Sequence, residues 1–156
     1  PLFRSIISLE QHGFIEKRST TTNLMCFTQF ICNVIDQRGQ VDVIYTDFSK
    51  AFDRIDHGIL LHKLEVYGLC GNFLQLFSSY LSNRLQYVTY NGFKSSQYTI
   101  TSGVPQGSNL GPLLFSIFVN DITTYIDCRK LVYADDLKIF SSILTDDDCL
   151  HLQSQL

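Results

Sequence analysis

The chain has 156 residues, 45% of them hydrophobic and 17% charged, with a net charge of −3 at pH 7. That length suffices for one domain burying roughly 68–70% of its unfolded surface, and the acidic balance excludes a basic tail or a protein that coats nucleic acid by charge alone, though not a local basic groove. Five cysteines without a CxxC pair, and only four histidines, exclude a zinc module or a disulfide scaffold and fit a reduced intracellular setting, nucleus or cytoplasm.

The chain begins at Pro1 and has its one Met at position 25. It reads as a fragment whose first residues carry no targeting information. Ser19 or Thr20 is placed to cap a helix over "STTTNLMCFTQFICNVIDQ", where Leu24, Phe27, Ile31 and Ile35 recur at helical spacing and Arg38-Gly39 marks the end. "VDVIYTDF" is β-branched and aromatic, hence a strand, with Asp47 close to its C-terminal end. "DHGILLHKLEVYGL" predicts a helix capped by Asp56 and stopped by Gly68, and "NFLQLFSSYLSN" a shorter one.

"LQYVTYNGFKSSQYTI" alternates around Asn91-Gly92, a strong hairpin signal. "TSGVPQGSNLGP" is a turn-rich loop, and "PLLFSIFVNDI" starts a helix with Pro112 in its first turn. The apolar run in that helix is the longest in the chain and falls far short of the roughly 20 residues of a membrane span, so no membrane is expected. "KLVYADDLKIFS" reads as a hairpin, and "TDDDCLHLQSQL" as a last helix with acids at its N-terminus. Hairpins rather than βαβ crossovers join the neighbours. The fold class is therefore α+β, an antiparallel sheet backed by helices, in one unit.

Asp135 and Asp136 stand side by side in the apolar stretch "KLVYADDLKIF". Like charges repel, and burying either costs several kcal/mol unless compensated. A hairpin tip held in water is one reading. The other needs the strand ending at Asp47 to neighbour that hairpin, so that three carboxylates converge on one sheet edge. Oxygen ligands without His or Cys suit Mg²⁺, with Mn²⁺ as a substitute. Two such ions about 3.5–4 Å apart stabilise the attacking and leaving oxygens of an in-line phosphoryl displacement. In the loop, Gly103, Gly107 and Gly111 let backbone approach a ligand, and Gln106 offers both a donor and an acceptor. An ordinary connection capped by Ser108 or Asn109 is the competing reading, and neither the P-loop nor the dinucleotide fingerprint is present. Asp53 and Asp56 read as a turn residue and a helix cap, His57 and His62 as surface or boundary residues, and Asp146 to Asp148 as a solvated helix start. The 12 Phe and 8 Tyr are mostly core, with one or two available to stack on bases.

In order along the chain, "QHGFIEKRST", "YTDFSKAFDRIDH", "SGVPQGSNLGPLLFSIFVNDI" and "VYADD" resemble the motifs of reverse transcriptases, and are most similar to those of non-LTR (LINE-like) retrotransposons. The resemblance runs from about Gln11 to Ser142; Ile15 departs from it, where a basic residue is expected. It implies a polymerase palm with part of the fingers: about 1–40 as the fingers-to-palm segment, 41–142 as palm with inserted helices and hairpin, and 143–156 as the start of the following helix. It implies Asp47 and Asp135 as the principal metal ligands, with Asp136 as a third. Phe52 would lie beneath the sugar of the incoming nucleotide, Gln106 and Gly107 would contact that nucleotide, and Tyr133 would pack near the primer terminus.

The activity implied is RNA-directed DNA polymerisation with two Mg²⁺, the isolated fragment being inactive. The implied partners are an RNA template, a DNA primer, dNTPs and other parts of the same polyprotein: upstream fingers, a thumb and an endonuclease where one is attached. Two alternatives stand beside this reading. One is an RNA-dependent RNA polymerase, against which Phe52 weighs. The other is a catalytically inactive retroelement remnant or RNA-binding relic, against which the intact Asp47, Asp135 and Asp136 weigh.

Overall fold

The structure is a computed structural model describing residues 6–156. In chain order its elements are α1 (Thr20–Asp36), β1 (Gln40–Asp47), a 3-10 turn (Ala51–Asp53), α2 (His57–Val66), α3 (Asn72–Leu81), β2 (Arg84–Gln86), β3 (Thr89–Tyr90), β4 (Phe93–Lys94), β5 (Tyr98–Ile100), α4 (Gly111–Val119), α5 (Ile122–Tyr125), β6 (Arg129–Tyr133), β7 (Asp136–Ile143) and α6 (Asp146–Gln153). The α+β class read from the sequence is the one adopted. Two compact units make up the chain: residues up to Ser49 with Val119–Leu156, and Lys50–Phe118. Among the described residues no helix is long and apolar enough to cross a membrane.

The first unit is built on an antiparallel sheet of order β1-β7-β6. Alternation sends successive side chains to opposite faces. Leu131 and Phe140, with Val43, pack under Phe27, Phe30 and Ile31 of α1. Val132, Leu137 and Ile139, with Ile44, pack on the other face against Ile122, Ile126, Cys128 and Leu152. Each fully buried aliphatic contributes about 1.5–3 kcal/mol. Phe27 and Phe30 meet Phe140 edge-on or tilted at 5.1 and 5.0 Å, which fixes α1 across the sheet.

Ser19 caps α1 reciprocally: its hydroxyl accepts the Thr22 N–H at 3.2 Å, and Thr22 Oγ1 accepts the Ser19 N–H at 2.9 Å. The helix stops at Asp36 because Arg38 turns left-handed (φ 59°), and the Gly39 N–H returns to the Val34 carbonyl at 2.9 Å. Leu24 and Ile35, expected on the core side, are 55% and 58% exposed. The stripe that meets the sheet is Asn23, Phe27, Phe30 and Ile31. At about 100° per residue, Leu24 and Ile35 lie roughly a quarter turn round from it.

Residues 10–12 run parallel along the free edge of β6: the Val132 N–H donates to the Glu10 carbonyl at 2.9 Å and the His12 N–H to the Val132 carbonyl at 2.8 Å. His12 is buried, with Nδ1 2.9 Å from Thr22 Oγ1. The same Thr22 hydroxyl lies 2.9 Å from the Ser19 carbonyl, which ties His12 to the cap of α1. Burial first, then the charges of Arg18 and Lys138, push the His12 pKa below its ordinary value. The unfolded chain therefore takes up a proton near pH ~6.5 while the folded chain does not. Stability should fall as pH drops from about 6.5 toward the lower folded value. Thermal unfolding followed between about pH 8 and 5 should show a shallower decline for His12→Gln; identical slopes would remove His12 as the cause.

The second unit buries Ile55, Leu60, Leu64, Leu81, Leu114 and Ile117 completely. Asp56 caps α2 by accepting the Ile59 N–H at 2.9 Å, and Gly68 (φ 90°) ends it. At Asn91-Gly92 both φ angles are positive (48° and 81°), the type I′ requirement. The alternation suggested one continuous hairpin, but the pairing is interrupted. Between the pairs Gln86↔Tyr98 and Thr89↔Lys94, residues 87–88 face residues 95–97. That extra residue makes a bulge, and the Ser95 hydroxyl fills the gap by accepting the Val88 N–H at 2.9 Å.

Candidate active site

Asp47 is the last residue of β1 and Asp136 the first of β7, and the register sets them directly opposite each other. Side chains so paired share a face with Cβ atoms about 4.5–5.5 Å apart, and like charges there repel. Tyr133 pairs with Asp136 from the other side. Ala134 and Asp135 form the two-residue turn between them, and Ala134 sits in the left-handed region (φ 55°). Asp47 and Asp136 are exposed and Asp135 half-buried.

The paired carboxylates lie on the α1 face, at a cavity of about 400 Å³ lined also by Thr20, Asn23, Tyr133 and Lys138. Asp135 does not line it. Lys138 is engaged elsewhere: its Nζ donates to Asn23 Oδ1 at 2.9 Å and lies over the Phe27 and Tyr45 rings. No described residue gives a hydrogen bond or ion pair to the three carboxylates. Among the described residues no three acidic, His or Cys side chains close into a ready-made cage. An all-oxygen set, two members opposed and a third next in sequence, fits a hard cation that keeps part of its shell for water and phosphate. The repulsion between Asp47 and Asp136 is what such a cation would relieve.

The second unit carries the remaining candidates. Phe52 lies in the 3-10 turn, half-buried, with its ring stacked on buried Phe115 at 4.4 Å and 25°. Gln106 is exposed and donates through Nε2 to Asp53 Oδ1 at 2.9 Å, which gives Asp53 a partner beyond its turn. Gly107 is exposed with φ 77°. A strap joins this loop to the turn: the Gly103 N–H donates to the Ile55 carbonyl at 2.8 Å and the Val104 N–H to the Phe52 carbonyl at 2.9 Å. Arg84 and His57 both meet the Gly103 carbonyl, at 3.0 and 2.8 Å. His57 is therefore a half-buried clasp, while His62 is exposed. Arg84, which no motif singles out, also lines a cavity of about 600 Å³ with Lys50, Asp53, Tyr98, Ser102 and Gln106.

Gly103 has φ 79°, and a Cβ there would come within 2.7 Å of Asp53 Cα and 2.8 Å of the Phe52 and Asp53 carbonyls. Gly103→Ala should therefore destabilise the fold by more than the ~1–2 kcal/mol of left-handed strain alone. Chemical denaturation reads this directly, and an unchanged midpoint would contradict the close approach.

A family described as reverse transcriptase (RNA-dependent DNA polymerase) matches residues 2–155. A probable RNA-directed DNA polymerase from transposon BS of Drosophila melanogaster is 31% identical over 162 residues, covering 98% of this chain and 18% of that protein. The RNA-directed DNA polymerase from mobile element jockey of Drosophila funebris is 33% identical over 148 residues, covering 90% and 16%. The chain thus spans less than a fifth of the length of these relatives. Among solved structures, apo telomerase from Candida tropicalis, truncated from its C-terminal domain, superposes with a TM-score of 0.66 at 15% identity, over 94% of this chain and 32% of that one.

Proposed function

This chain belongs to the reverse transcriptase family, and we propose that it is the palm-containing part of an RNA-directed DNA polymerase of a non-LTR retroelement, joining dNTPs to a primer. The observation that carries the proposal is the register of β1 against β7, with Asp47 opposite Asp136 and Asp135 in the adjoining turn. Divalent cations, when bound, supply Lewis-acid stabilisation of the attacking and leaving oxygens. Asp47, Asp135 and Asp136 would hold them, and Mg²⁺ suits the donor set.

The other residues position substrate. Tyr133 shares the carboxylate face and would pack near the primer terminus. Phe52, its ring braced by Phe115, would lie under the deoxyribose. Gln106 and Gly107 would contact the nucleotide, and the 2.9 Å bond from Gln106 to Asp53 sets the amide before substrate arrives. The RNA template, the primer and further segments of the same polyprotein complete the proposed assembly inside the cell.

Primer extension on an RNA template by the full open reading frame that encodes this chain tests the proposal. Extension with dNTPs and Mg²⁺ is expected. Preference for rNTPs would favour an RNA polymerase, and no extension with either would mark an inactive remnant.

A further inference from the structure

Ala134 presents a physical problem. It opens the two-residue turn that carries Asp135, and it holds a left-handed φ of 55°, where Gly, Asn or Asp is the ordinary occupant. It is also 7% exposed, so its peptide groups cannot turn to water for partners.

Gln11 answers both needs. Its side chain is 3% exposed, Oε1 accepts the Ala134 N–H at 3.0 Å, and Nε2 lies 3.4 Å from the Ala134 carbonyl. One primary amide thus meets the donor and the acceptor of one backbone residue, as a neighbouring strand would. Oε1 is itself fixed by the Gly13 N–H at 2.7 Å. Arg18 Nη1 donates to the Gln11 and Leu9 carbonyls, each at 2.6 Å, and the parallel pairing of residues 10–12 with Val132 holds the register. Gly13 closes the contact: a Cβ there would stand 2.3 Å from the Ala134 nitrogen.

We infer that Gln11 is the positioning residue of the carboxylate turn, its amide fixing the Ala134 peptide planes and through them the direction of Asp135. The inference rests on the proposed polymerase reading for its functional consequence and on the turn geometry for everything else. Gln11 touches neither substrate nor metal. It acts because a rotation of the Ala134–Asp135 peptide swings the next carboxylate, and a metal-binding group must be held within about 0.5 Å of its working position.

Gln11→Met keeps the side-chain volume and removes both polar atoms; Gln11→Glu keeps an acceptor for the two N–H groups and removes the donor. Both belong in the full open reading frame. Hydrogen–deuterium exchange of peptides covering 130–138 should quicken about tenfold in Gln11→Met, the loss of a hydrogen bond or so, while α1 and α6 keep their protection. Dividing by the wild-type rate, kcat for primer extension should drop about 10–100-fold, as for a partner that orients metal ligands. KM for dNTP should stay within about threefold, and half-maximal activity should need more Mg²⁺. Gln11→Glu should recover part of both losses.

Unchanged exchange at the turn would overturn the inference whatever the activity. Faster exchange spreading equally over α1 and α6 would also overturn it, by making Gln11 a packing residue only. Should the wild type not extend primers, the proposed function falls while the turn measurement still decides the role of Gln11.

Discussion

Asp47→Asn and Asp135→Asn are each expected to abolish nucleotide addition by the full-length protein, a loss of at least about 10³-fold, or ~4 kcal/mol of transition-state stabilisation. The substituted amide is nearly isosteric but brings no charge to a cation. The fold should not suffer. Asp47 is exposed, and Asp135 half-buried, and neither accepts a hydrogen bond that holds the structure. Removing Asp47's charge also relieves its repulsion with Asp136, so stability should stay level or rise by up to about 1 kcal/mol. Asp136→Asn should impair extension as well, since it stands opposite Asp47 in the register. Extension and thermal unfolding measured side by side decide the matter. Full activity in either of the first two variants would remove the metal assignment.

Phe52→Val should relax sugar selection. A rigid ring against the incoming sugar excludes a 2′-hydroxyl by volume, and overpacking of that kind costs roughly 1–3 kcal/mol. Charged only to the ribonucleotide transition state, it gives roughly 5–150-fold discrimination. The structure adds a complication, because Phe52 also stacks on Phe115. Truncation therefore forfeits about 0.5–1.5 kcal/mol of aromatic contact in the second unit. That loss is common to both sugars and cancels in their ratio. The expected result is dNTP incorporation within an order of magnitude of wild type, with kcat/KM for rNTPs selectively raised. A parallel fall for both sugars would leave Phe52 as core alone.

Local chemistry was legible in the sequence wherever neighbours in the chain decide the outcome. The Ser19 and Asp56 caps, the Asn91-Gly92 turn and the placing of Asp47 at a strand end all depend on residues a few positions apart. What depends on distant partners was not. The face of α1 was misread because Leu24 and Ile35 have helical spacing of their own, and only the sheet selects the stripe it covers. Ser95 in the hairpin bulge carries no periodic mark. Gln11 and Arg84 were missed for the same reason: their partners, Ala134 and Gly103, are backbone atoms of residues far along the chain. The carboxylate cluster was legible in part. Two adjacent acids in an apolar run raised the question, but only the strand register pairs Asp136 rather than Asp135 with Asp47.

The sheet that holds those acids is split by the whole of Lys50–Phe118, and this fixes an order of events during synthesis. On the ribosome, β1 emerges with no partner, and β7 follows only after the second unit is complete. Non-local pairing of this kind slows folding more than it weakens the finished state, since each doubling of a closed loop costs only about 0.6 kcal/mol. The inserted unit, being continuous in the chain, can collapse while β1 still waits. A nascent or prematurely ended chain that stops before Arg129 therefore carries an unpaired strand edge, prone to aggregate, and a lone Asp47. Only a chain translated through β7 sets Asp47 and Asp136 opposite each other, so the paired carboxylates of the sheet edge form late in synthesis, after the inserted unit is already whole.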